Sequence, residues 1–75
     1  MMREVKMVFK MVGPNSCRIL CETRDNGGRW CKQGTIPQAG TLEEVMALEI
    51  SCHERFGWTM YDITEENTLT FWKEF

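Results

Sequence analysis

Thr41-Leu42-Glu43-Glu44-Val45-Met46-Ala47-Leu48-Glu49-Ile50-Ser51-Cys52-His53-Glu54-Arg55-Phe56-Gly57 decides the fold, because it combines a helical start, a helical period and a helical stop. Thr41 and Glu44 stand at capping-box spacing, with the Thr41 side chain taking the N–H of Glu44 while Glu44 reaches back. Gly57 suits the left-handed residue just past a helix end, so the spacing predicts a helix running to about Phe56. At about 100° per residue, Leu42, Val45, Met46, Cys52 and Phe56 fall on one broad face, with Leu48 and Ile50 at its margins. Glu43, Glu44, Ala47, Ser51, Glu54 and Arg55 form the wet side.

On the N-terminal side of this helix the period changes to two. Val5, Met7, Phe9 and Met11 alternate with Lys6, Val8 and Lys10, the signature of a half-buried strand. Gly13-Pro14-Asn15-Ser16 turns the chain, and Cys17, Ile19 and Cys21 then alternate with Arg18, Leu20 and Glu22. Asn26-Gly27 is a strong hairpin signal, which makes Trp30 to Ile36 the returning strand. With Asn26 and Gly27 as the loop residues, Thr23 faces Trp30, Cys21 faces Lys32 and Cys17 faces Ile36, unless a bulge at Gly28 shifts the register. Beyond the helix, Trp58 to Thr64 and Thr68 to Phe75 read as a second hairpin turning at Glu65-Glu66-Asn67. In it Tyr61, Ile63, Leu69 and Phe71 are expected inward, and Met60 and Trp72 outward. The sum is an α+β fold, β-β-β-α-β-β, in which an antiparallel sheet packs on a single helix.

The chain has 75 residues, of which 43% are hydrophobic and 27% charged, so it is globular in composition and short enough to be one domain, residues 1–75. Its net charge of −2 disfavours a strongly basic nucleic-acid binder, although the charge is unevenly laid out. Residues 1–32 carry seven basic side chains against three acids, and residues 33–75 carry two against eight. No apolar run approaches a membrane span, and Arg3, Glu4 and Lys6 interrupt the place where a signal peptide needs an apolar stretch, so a cytoplasmic location is expected.

Cys17, Cys21, Cys31, Cys52 and His53 offer enough ligands for zinc, yet they lack paired knuckle spacing. Cys17 and Cys21 lie roughly 13 Å apart along a strand, which argues against a metal, and Gly27-Gly28 lacks the flanking glycines and lysine of a nucleotide fingerprint, so no cofactor is expected. Without an export signal, reduced thiols are the default. Cys52, His53 and Glu49 invite a nucleophile-base-orienter reading. Adjacent helix positions point about 100° apart, which argues against a Cys52-His53 hydrogen bond and favours a non-enzyme. Glu49 and His53 are instead an i,i+4 pair near the middle of the apolar face.

Three Trp, four Phe and one Tyr exceed what one helix is able to hide. Outward-facing Lys6, Lys10, Arg18, Leu20, Met60 and Trp72, together with Val8, therefore mark the uncovered sheet face as the expected partner-binding surface. A protein partner is the first expectation, with partner identity and oligomeric state open. Nucleic acid held by Lys6, Lys10, Arg18, Arg29 and Lys32 around Trp30 or Trp72 is the alternative. From Gly40 onward, Thr41-Leu42-Glu43-Glu44-Val45, Phe56-Gly57-Trp58-Thr59-Met60 and Leu69-Thr70-Phe71-Trp72-Lys73-Glu74 together resemble some small anti-CRISPR proteins of phages. The anti-CRISPR proteins that share this element order wrap a five-stranded antiparallel sheet round one helix. The chain departs from them in its long Trp30 to Gly40 segment and its cysteines. That resemblance implies a stoichiometric accessory or inhibitory protein of a phage or mobile element, one that occludes a surface on a larger host complex.

Overall fold

A computed structural model of the chain describes residues 1–62 and 65–75. The elements run β1 (Met2–Gly13), β2 (Ser16–Asp25), β3 (Cys31–Ala39), α1 (Leu42–Arg55), β4 (Thr59–Met60) and β5 (Thr68–Glu74). The five strands form one sheet in the order β3-β2-β1-β5-β4, with every pairing antiparallel and α1 packed on one face. Central β1 is paired along both edges, by β2 and by the returning β5.

Both ends of α1 follow the capping logic of the sequence. The Thr41 hydroxyl accepts from the Glu44 N–H at 3.3 Å, and a Glu44 carboxylate oxygen accepts from the Thr41 N–H at the same distance. Phe56 caps the other end, and Gly57 follows at φ +86°, a backbone state that a side chain would strain. Underneath, Met7, Phe9, Cys17, Ile19, Leu69, Phe71 and the helical Val45 form the buried core, flanked by Leu42, Met46 and Ile50. The buried helical stripe therefore continues through Glu49 and His53 rather than through Cys52 and Phe56, both of which are exposed. His53 stacks on Phe71 with ring centroids 4.3 Å apart and planes 9° from parallel, so the imidazole near the middle of the apolar face closes the core in place of the expected Cys52 and Phe56.

Two expected registers are corrected. Asn26 and Gly27 both have positive φ and Gly28 N–H bonds to Asp25 O, the turn that the sequence predicts. The loop nevertheless continues to Trp30, so that Thr23 pairs with Cys31, Glu22 with Lys32 and Cys17 with Gln38. The added length has two causes. Asn26 is held to β1 through both its backbone N–H and its side-chain oxygen at Met2, and Trp30 leaves the strand line to lie against Lys6 and Arg24. A bulge between Cys21 and Glu22 shifts the pairing once more.

The second correction concerns β4. Met60 pairs with Phe71 and packs against the core, while Tyr61 lies on the other side near Glu4, the reverse of the expected orientation. Its cause lies at the helix end. Trp58 N–H bonds to His53 O and the indole packs beneath the helix terminus, so the pleat brings Met60, two residues on, back to the same side. β4 is also shorter than expected, and the expected inward position of Ile63 lies outside the described residues.

Candidate functional site: the open sheet face

Even-numbered residues of β1 point away from the helix, and the pairing places Glu4 beside Arg24 and Trp72, Lys6 beside Glu22 and Thr70, Val8 beside Leu20, and Lys10 beside Arg18. These rows divide the open face into two ends. Glu4 and Lys10 are six residue steps apart along β1, roughly 20 Å of strand.

The end nearer Glu4 is a closed network. Arg24 holds the Glu4 carboxylate with a two-pronged hydrogen bond, Nε to Oε1 at 2.9 Å and Nη2 to Oε2 at 3.2 Å. That bonding keeps Glu4 below the usual carboxylate range against the opposing push of burial, and Tyr61 adds to the lowering. Tyr61 itself is pushed up, first by burial and then by its bond to Glu4. Trp30 lies against the same group, its ring centroid 4.3 Å from Arg24 Cζ and 4.6 Å from Lys6 Nζ. Lys6 also lies 3.7 Å from Glu22. Glu4, Arg24, Trp30, Tyr61, Asp62 and Thr70 surround a shallow hollow of about 550 Å³.

At the other end Lys10 and Arg18 stand directly opposite one another, both exposed. Among the described residues neither has an ion-pair partner. Val8, Leu20 and Thr35 complete a hollow of about 260 Å³ with them, and Pro37 faces Arg18 from β3.

Of the residues expected to form one binding surface, Lys10, Arg18 and Leu20 come together in this second hollow. Lys6 and Trp72 share the open face but sit toward its other end, with Lys6 already beside an acid and Trp72 half-buried. Met60 is removed from the surface altogether, because it belongs to the helix side. The Glu4-Arg24-Trp30-Tyr61 network was missed. Its signal in the sequence is the opposite charge of Glu4 and Arg24, but reading it requires the β1-β2 register and the departure of Trp30 from β3.

The thiol-imidazole pair does not converge on one point. His53 Nδ1 lies 2.9 Å from Glu49 O and 3.5 Å from Glu49 Oε2, two acceptors that place the proton on Nδ1. The ring lies over Phe71, while Cys52 is on the exposed side. All four cysteines are free thiols, and Cys21, facing the helix, has its thiol pushed up by burial and then by the Glu49 charge. Among the described residues, no three His, Cys, Asp or Glu side chains gather into a metal-binding group. Nor is any helix there long and apolar enough to cross a membrane. The chain matches no family model, no characterised protein and no solved structure.

Proposed function

We propose that this protein is a non-enzymatic protein-binding module that docks a partner on its open sheet face. The observation carrying this reading is that α1 covers one side of the sheet only, leaving Val8, Leu20, Trp72 and the cations Lys10 and Arg18 on a face with no covering element among the described residues. Charge adds a direction to the encounter. On the helix the exposed acids Glu43, Glu44 and Glu54 outnumber the exposed cation Arg55, whereas on or between β1, β2 and β3 the exposed cations Lys10, Arg18, Arg29 and Lys32 outnumber the exposed acid Asp25, so that part of the sheet favours an acidic partner. An occluding inhibitor, the form implied by the resemblance to anti-CRISPR proteins, needs nothing more than such a face. The division of Cys52 from His53 supports a role without catalysis.

Trp30 beside Lys6 and Arg24 favours a second reading, in which a nucleobase stacks on the indole. Both cations already serve Glu22 and Glu4, whose charges would repel phosphate, and this ranks the second reading below the first.

Affinity capture from nuclease-treated and untreated lysate, with wild type, Trp72→Ala and the helix-surface control Glu43→Ala, tests the proposal. A defined partner retained after nuclease and by Glu43→Ala but weakened with Trp72→Ala supports it. Capture abolished by nuclease, or indifferent to Trp72, overturns it.

A further inference from the structure

The row Lys10–Arg18 contradicts the rule that governs the rest of this face. Directly opposed side chains on an antiparallel pair stand about 4.5 to 5.5 Å apart at Cβ, and like charges there destabilise the sheet. The other charged rows on this face obey the rule, since Lys6 faces Glu22 and Glu4 faces Arg24. On the β2 and β3 side the neighbours Val8, Leu20, Thr35 and Pro37 carry no charge, and although the turn into β5 at Glu66-Asn67 meets the other edge of β1 at Phe9, no carboxylate among the described residues comes within ion-pair distance of Lys10 or Arg18. The sheet's other like-charge row, Arg3 opposite Lys73, is compensated, with Arg3 bonded to Asp25 and Lys73 Nζ to Phe56 O, so Lys10–Arg18 stands apart as a row whose cations are left available to something outside the fold.

With the open sheet as the binding face, we infer that Lys10, Arg18, Val8, Leu20 and Thr35 form the seat for an acidic-aliphatic segment of the partner polypeptide. A carboxylate on that segment lies between the two cations and an adjoining aliphatic side chain covers Val8 and Leu20. The carboxylate turns mutual repulsion into two attractions, so much of the binding gain is strain relieved in the free protein. Both halves of the segment's chemistry are dictated by the hollow. Its two charged groups have one sign, and its floor is aliphatic. A nucleic acid fits less well, because it needs a ring to stack on, whereas Trp30, Tyr61 and Trp72 belong to the distant Glu4 end.

The test is an amide-resolved NMR titration of the whole chain with a short end-blocked peptide of Glu and Leu, a matched peptide with Gln in place of Glu, and a single-stranded oligonucleotide. The expected result is saturable shifts centred on Val8, Lys10, Arg18, Leu20 and Thr35 with the Glu peptide. Affinity should fall at least tenfold with the Gln peptide and with Lys10→Glu. Since Lys10→Glu replaces a repulsive row with an attractive one, its melting temperature should equal or exceed that of wild type, which separates lost binding from lost folding. Absence of these shifts at millimolar Glu peptide, equal response to the oligonucleotide, or a lower melting temperature for Lys10→Glu overturns the seat. Shifts gathered instead on Trp30, Tyr61 and Trp72 overturn the seat and leave the binding face standing. Saturable binding at the seat with captured partner indifferent to Trp72→Ala leaves the seat standing and overturns the wider face.

Discussion

Phe71 is wholly buried beneath His53 on the helix side of the sheet, whereas its chain neighbour Trp72, turned the other way beside Glu4, is half-exposed. The two sides remove surface from water by different means. Beneath α1, burial comes from packing one element on another, and the groups involved are apolar apart from the Glu49-His53 pair at the margin. On the open side Glu4 is only 4% exposed although no helix lies over it, because Arg24, Trp30 and Tyr61 close around it. A buried residue on this sheet is therefore not proof of a covering element. Long amphipathic side chains hide a carboxylate by lying flat across the strands.

The largest effect that tests this contrast is at Phe71. Cutting it to Ala should destabilise the fold by about 3 to 5 kcal/mol, a large share of a small domain's stability. Trp72→Ala should lose less than half as much while weakening partner binding by about 2 kcal/mol. Denaturant unfolding and a binding assay on both variants decide the matter, and greater instability in Trp72→Ala would mean that the open side is itself a core.

Next in size is the Glu4-Arg24 pair, which sharpens the comparison through pH. Glu4 titrates below its unfolded value, near 4.3, so its contribution is present above that pH and disappears as pH falls through the lower folded value. Glu4→Gln should melt below wild type at neutral pH and approach it under acid, and melting curves between pH 7 and pH 2.5 should show the two converging. Asp25, held below its usual range by hydrogen bonding from Arg3, should give the same sign with a smaller amplitude, because that pair is solvent-exposed. Parallel curves for Glu4→Gln and wild type would remove the ion pair from the account of the open side.

Trp30 should matter less to stability. Its contacts with Lys6 and Arg24 are each worth about 0.5 to 1 kcal/mol at partly exposed sites, so Trp30→Ala should destabilise by about 1 to 2 kcal/mol and increase the exposure of Glu4. Smallest of all is Cys52→Ser, on the exposed helix surface, which should change stability by less than about 0.5 kcal/mol. Thiol labelling provides a companion measurement. Cys31 and Cys52 should react promptly, Cys21 slowly because burial raises its thiol, and Cys17 only on unfolding.

Much of the architecture was legible wherever local chemistry and long-range packing agree. Thr41, Glu44 and Gly57 set the helix limits through their own backbone bonds, and the alternation through Val5, Met7 and Phe9 assigned the inner side of β1 whatever its partners. The error at Met60 and Tyr61 arose because two apolar or aromatic neighbours give a period-two pattern no phase. Only the His53-Trp58 hydrogen bond at the helix exit supplied it. At Trp30 local propensity favours strand, a β-favouring residue beside a strong turn, but two cations on neighbouring strands draw it out of line. The candidate site divided in the same way, with Lys10, Arg18 and Leu20 on the outward phase of two well-patterned strands, and Met60 on a strand whose phase was decided elsewhere.

By itself the sequence determined the elements, their order and the outward direction of the cations on β1 and β2, since capping, turns and alternation act over a few residues. Tertiary structure alone decided which charges meet. Cross-strand register brings together residues distant along the chain, so it set Arg24 on Glu4, laid Trp30 over both strands and left Lys10 facing Arg18 with no acid between them.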